Sequence, residues 1–402
     1  MMSMRNHLLL FLMAACVQVS HALQSISDEE LSSFSGQAFI WADRIAPNSL
    51  TGQMGVGSAT DFTFFRMGLD AELAMNMNMA KLQLGCGGIN DGLPGGGQAC
   101  DVDMDYVRFM GRNGDVAGSP VTSNFVLRRP YIEIALKNEN NPALREVVGI
   151  KIGAQMADGY VSVGRKYESG TNVEHGGSCN SSASVLSSPG QLNCHSGINS
   201  LSGFVGAELS ATLPMTVIGS NGYGCAGNTS FGGDDCGPAD TLYIDYAGTR
   251  MNQLELADLL LQLNGGLAGI IGQGYARLIA NTRVLHGFAL VNTSDFFLSF
   301  QRQQVAYPRY TKAIPAVADT PVCGTAANPD RCASAYAVPA NPGWWMNIPS
   351  AKLTNAMVDR VTVGILQLPT LLSALGRPGM AAYNPDFNIN PAQNCYGGTL
   401  FC

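Results

Sequence analysis

Two stretches, Ala71–Gly85 (AELAMNMNMAKLQLG) and Asp101–Phe109 (DVDMDYVRF), decide the fold. In the first, Leu73, Met75, Met77 and Met79 alternate with Glu72, Asn76 and Asn78, and the phase shifts at Ala80 to Leu82 and Leu84. In the second, Val102, Met104 and Tyr106 alternate with Asp101, Asp103 and Asp105. Successive side chains of a strand point to opposite faces, so this period of two predicts strands with one buried and one wet face. Tyr131–Lys137, Val147–Gly153, Tyr160–Gly164, Gly203–Ile218 and Thr241–Tyr246 repeat the pattern. Turns rich in Gly, Asn and Pro separate them, and no helical period intervenes before about residue 251. The strand–helix alternation of doubly wound folds is therefore missing. The reading is an all-β or β-dominated chain, built as a β-solenoid or a large β-sandwich.

Beyond residue 250 the pattern changes. Leu254, Leu256, Leu259, Leu260, Leu261 and Leu263 form an apolar block, broken by Gly265, Gly266, Gly269, Gly272 and Gly274. This predicts a helix of about ten residues and then a Gly-rich apolar hairpin or loop, too interrupted to span lipid unpaired. Strands are expected again at Val284–Val291 and Asp295–Gln301, and a last one at Val358–Leu368. Ala313–Pro342, rich in Pro and Ala, reads as an extended surface segment. The predicted organisation is an export signal at 1–22, a helical motif at 23–37, and a β-rich body at 38–250. That body continues through 251–402 with the apolar and Pro-rich inserts.

The chain has eleven cysteines. One, Cys16, lies in the export signal, and the others form five close couples: Cys86 with Cys100, Cys179 with Cys194, Cys225 with Cys236, Cys323 with Cys332, and Cys395 with Cys402. Each couple brackets a turn-rich stretch, which predicts five local disulfides stapling loops in an oxidising compartment. Arg5, the apolar run Leu8–Cys16 and the small residues of Ser20-His21-Ala22 have the layout of a secretory signal cut after Ala22. A lipid on Cys16 is the rival, and it would anchor the chain to an outer membrane. The expected location is the cell surface or extracellular space, with the periplasm as the alternative. Removing residues 1–22 takes away one Arg and no acid, so the formal charge moves from −7 to −8. With 13% charged residues and no Lys/Arg run, the electrostatic footprint of nucleic-acid binding is missing.

Ser27 followed by Glu30 makes a capping box, and Ile26, Leu31 and Phe34 give the helix behind it one apolar edge, ended by Gly36. These three apolar residues are the candidate contact for a protein partner.

Candidate chemistry is sparse. The GxSxG elbow of serine hydrolases is missing, and Gly222–Gly227 matches GxGxxG but opens onto a cysteine staple rather than a helix. His175 and His195 flank one staple and read as surface-loop histidines, and His286 stands alone. Asp101, Asp103 and Asp105 would share one strand face. They form either a solvated edge or a candidate Ca²⁺ site, since Ca²⁺ prefers hard oxygen ligands. The methionine ladder reads as core filling rather than a copper site. Trp344–Trp345 is a candidate sugar-stacking platform.

The segment LQSISDEELSSFSGQ (23–37), with Thr63–Gly88 (TFFRMGLDAELAMNMNMAKLQLGCGG), resembles a group of exported Gram-negative proteins largely without known function. Some members are linked to pilus or surface-filament assembly. The motif carries no catalytic residues, and the expected function is that of a non-catalytic cell-surface structural component with protein partners or self-association, with no cofactor unless Ca²⁺ binds at the aspartates. The alternative expectation is a protein that binds an apolar ligand, a lipid or a membrane surface, motivated by Leu254–Ile271. A secreted hydrolase is the third.

Overall fold

The computed structural model describes residues 39–47, 62–92, 100–112, 123–167, 169–171, 178–180, 192–217, 220–225, 241–262, 273–309, 335–357, 361–363, 380–383 and 391–394. The chain divides into two compact units, Met1–Phe39 and Ile40–Cys402, and the strands below belong to the second. In chain order they are β1 (Ile40–Ile45), β2 (Phe62–Leu69), β3 (Glu72–Met75), β4 (Met77–Leu84), β5 (Val102–Met110), β6 (Phe125–Lys137) and β7 (Glu146–Ser162). Next come the short β8 (Arg165–Lys166), β9 (Ser169–Thr171), β10 (Ser178–Asn180) and β11 (His195–Ser196). Then follow β12 (Ile198–Val217), β13 (Ser220–Cys225), β14 (Thr241–Met251), β15 (Gln253–Gln262) and β16 (Gln273–Asn281). The last are β17 (Gly287–Gln301), β18 (Gly343–Met357), β19 (Val361–Val363) and β20 (Met380–Tyr383).

The strand-dominated reading of the sequence holds. Thirteen strands join in one sheet, along the path β1-β2-β6-β7-β17-β18-β12-β5-β4 with β3, β13, β14 and β19 attached. Most pairs are antiparallel, and β12 runs parallel to β18. β5 also pairs with the end of β7, Arg108 opposite Ser162 and Met110 opposite Tyr160. The path therefore returns on itself, and β7, β17, β18, β12 and β5 form a closed circuit. All five send apolar side chains into one core: Val107 from β5, Val161 from β7, Leu209 from β12, Leu290 from β17 and Ile348 from β18. Sequential parallel rungs, the pairing of a solenoid, do not describe this sheet.

A second apolar cluster lies under the opposite face of the same strands, where Phe64, Phe297, Tyr307, Tyr336 and Trp345 meet. The segment 302–309 and the segment 335–342 cover it. This corrects part of the expected surface passage Ala313–Pro342, since Tyr336, Ala337 and Ala340 are core residues. The leucine block is also corrected. Gln253–Gln262 is not a helix but a strand, paired antiparallel with β16. The two strands expected near residues 284–301 are one, and Gly343–Met357 is a full strand where none was expected. Among the described residues no helix is long and apolar enough to cross a membrane.

Two of the five predicted staples, Cys86–Cys100 and Cys179–Cys194, are formed, which agrees with an oxidising compartment. The predicted pairings of Cys225 with Cys236, of Cys323 with Cys332 and of Cys395 with Cys402 rest on side chains outside the described residues. The export signal and Ile26, Leu31 and Phe34 lie outside them as well.

Candidate functional site

The feature that stands out is the outer face of β2, β6, β7 and β17. Register places Phe65 opposite Ile134, Ile134 opposite Ile150, Ile150 opposite Phe300, and Phe300 opposite Trp344. One pleat away a second row runs Met67, Ile132, Ile152, Leu298 and Met346. Beside them Ile40 of β1 sits opposite Leu69. At Met346 the second row passes into the main core, but towards β2 it emerges into the open. Met67 is 58% exposed, Ile152 55%, Ile132 45% and Phe300 42%. Cross-strand aliphatic rows of this kind normally face a core.

The row between these two points the other way and is ionic. Arg66 lies opposite Glu133, Glu133 opposite Lys151, and Lys151 opposite Ser299. Arg66, Glu133 and Lys151 are all buried. Arg66 Nε donates to Glu133 Oε2 at 2.5 Å, and its Nη2 donates to the Pro308 carbonyl at 2.7 Å. Lys151 Nζ donates to Asp295 Oδ1 at 3.0 Å and to the Pro308 carbonyl at 3.2 Å. It also lies 4.3 Å from the centroid of the Phe297 ring. The Tyr131 hydroxyl donates to Asp295 Oδ1 at 2.8 Å, and the Arg66 guanidinium lies over the Tyr131 ring. Two cations thus meet two carboxylates with no net charge, which makes burial of the set tolerable. Burial pushes the Glu133 carboxyl above its ordinary range against the pull of Lys151 and Arg66. Burial also pushes Lys151 below the usual lysine value, against Asp295 and Glu133. The cluster is a pinned register device rather than an accessible set of acids and bases.

The aspartate ladder is engaged by protein groups. Asp101 is buried and accepts from Asn90 Nδ2 at 2.8 Å, Arg250 Nε at 3.0 Å and the Trp344 amide at 2.9 Å. Asp103 and Asp105 share Lys81 Nζ, and Asn199 Nδ2 donates to each at 3.0 Å. A solvated edge is therefore incorrect for Asp101 and Asp105, which are 1% and 2% exposed. Burial works to raise the Asp103 carboxyl, and hydrogen bonds from Lys81, Asn199 and Gln83 overcome it and hold it below its ordinary value. Among the described residues no group of three or more His, Cys, Asp or Glu side chains is placed to hold a metal.

His195 is likewise not a surface-loop residue. It is fully buried and stacks on His286 with ring centroids 5.0 Å apart, its Nδ1 2.7 Å from His286 Nε2. His286 Nδ1 faces the Val163 carbonyl at 2.9 Å, so that nitrogen donates, and its Nε2 is left to accept from His195 Nδ1. His175 lies outside the described residues. Met75 and Met79 pack on the main core, as core filling requires. Leu73, by contrast, is 49% exposed. Trp345 is buried and Trp344 packs on Phe300 at 5.4 Å, at the margin of the apolar face. Inside the closed circuit lies an apolar cavity of about 60 Å³, lined by residues such as Met104, Val161, Ile198 and Phe288.

No family model, curated protein or solved structure matches the chain.

Proposed function

We propose that this protein is an exported, non-catalytic component of the cell surface, and that it works by association through the outer face of β2, β6, β7 and β17. One observation carries the reading: nine large apolar side chains on that face are between 37% and 58% exposed and lie side by side across five strands. At ~200 Å² per side chain they leave on the order of 800 Å² of contiguous apolar surface, above the few hundred usual for a monomer and about one partner's share of a stable interface. The resemblance of residues 23–37 to a group of exported proteins, some of them linked to filament assembly, supports a structural role at the same location. The test is fractionation of the producing cells with wild type and with Ile152→Asp. Loss of the variant from the surface fraction into the soluble one supports the reading, and an unchanged distribution sinks it.

A further inference from the structure

Resting on that reading of the face, we infer that its occupant is lipid: the sheet lies with Met67, Ile132 and Ile152 against the hydrocarbon of a membrane surface. Three observations favour lipid over a second protein.

The first is chemical. A protein interface of this size makes roughly one hydrogen bond per 100–200 Å², even though Phe and Met are enriched there along with Tyr, Trp and Arg. The exposed rows here are Ile, Met, Leu and Phe with no side-chain donor or acceptor, and the backbone groups behind them are engaged in pairing between β2, β6, β7 and β17. Hydrocarbon asks for no hydrogen bonds. A folded partner with a polar contact surface would leave those groups unanswered.

The second is the margin. From Phe65 to Leu69 the face is four steps, ~14 Å at ~3.4 Å per residue. Charged pairs stand at both ends: Arg129 with Asp70 at 2.7 Å and Arg128 with Glu72 at 3.1 Å beyond Leu69, and Arg44 with Glu139 beside Phe65. Apolar residues in the middle with ion pairs around them match an acyl region bordered by headgroups.

The third is the inverted order of β2, β6 and β7, with ions beneath and aliphatics outside. On these three strands the apolar side chains point outward and the ions inward, as in lipid-facing strands, whereas on β17 and β18 the same face turns into the core at Leu298 and Met346. The face is too short for the ~25 Å apolar band of a spanning barrel. Its edge strand β1 also carries Asp43 and Arg44, both exposed. An edge with those groups belongs in water, so the sheet lies on the membrane rather than through it.

The rim pairs cations with carboxylates, so attachment should need no anionic lipid. The full chain is expected to float with phosphatidylcholine vesicles, with less than about a twofold change between ~0.1 M and ~1 M salt. Ile132→Asp with Ile152→Asp should reduce flotation at least about tenfold, while Ile89→Asp, exposed but off this face, should leave it unchanged. A second measurement does not depend on those variants folding. Bromine-substituted lipid should quench the tryptophan emission of the wild type, and Trp344→Phe should remove most of the quenching. If the chain neither floats nor is quenched but forms dimers that Ile152→Asp dissociates, lipid is overturned and association through the face stands. If it does none of these, both are overturned.

Discussion

Lys151 and Ile152 are chain neighbours with opposite surroundings: the ammonium is fully buried against Asp295, and the aliphatic side chain beside it is 55% exposed. The same inversion holds for Arg66 and Met67 on β2 and for Glu133 and Ile134 on β6. One pleat thus carries the register-setting ions on one side and the contact surface on the other. Slipping the register by one residue would bury the contact surface and drive the ions into solvent.

Removing one ion from the layer should be severe. Lys151→Met removes the cation hydrogen-bonded to Asp295 and leaves the buried Glu133 and Asp295 without it, and a loss of about 3–5 kcal/mol is expected in chemical denaturation. A variant that also replaces Glu133 by Gln should recover part of that loss.

The pH dependence has two opposing parts. Glu133 binds its proton more tightly folded than unfolded, so its contribution is complete below about 4.5 and is lost as pH rises through the folded value. Asp103 is the reverse: its contribution is present above about 3.8 and is lost as pH falls through the lowered folded value. Wild type should therefore gain stability relative to Glu133→Gln as pH falls towards 4.5. Lys81→Met, which removes the cation beside Asp103 and Asp105, should move acid unfolding to higher pH. Equilibrium unfolding at stepped pH checks both.

The Cys86–Cys100 staple closes a loop across a sequence separation of 14 and holds Asn90 and Asp91 at Asp101 and Arg250. Replacing both cysteines by Ser should lower stability by about 3 kcal/mol. The effect should be smaller in an Arg250→Met background, because the loop then has less to hold.

Gly164 combines a left-handed backbone, φ +83°, with a Cβ position that would meet the Ser196 carbonyl directly beside His195. Gly164→Ala should cost about 2–4 kcal/mol, where an ordinary loop alanine would be neutral or helpful. A thermal midpoint near that of wild type would show that the Gly164–Ser196 approach relaxes.

Alternation was legible in the sequence, but its sign was not. Tyr131–Lys137 reads as a strand with Ile132 and Ile134 on one face and Glu133 on the other, and period two is silent about which face is inward. The usual assignment puts the aliphatics inside. Here the coverage of Glu133 by Tyr307, Pro308 and Asp295, all far downstream in the chain, reverses it. Asp101 and Arg250 are equally distant partners, so the ladder of aspartates looked solvated. The leucines of Gln253–Gln262 fit a helix as well as a strand, and their pairing with β16 decides between them. The two formed disulfides were readable because both partners are close in sequence.

The parallel seam between β12 and β18 sets an order of events. Gly203 pairs with Met346, 143 positions later (346 − 203), and β17 is also completed by β18. A chain emerging from its amino end holds two long open edges until residue 357 arrives, and the circuit cannot shut before then. Such late closure is slow, because long loops must be brought together first. During that wait the open edges invite wrong partners, so a chain arrested short of Gly343 should aggregate rather than persist as a soluble intermediate.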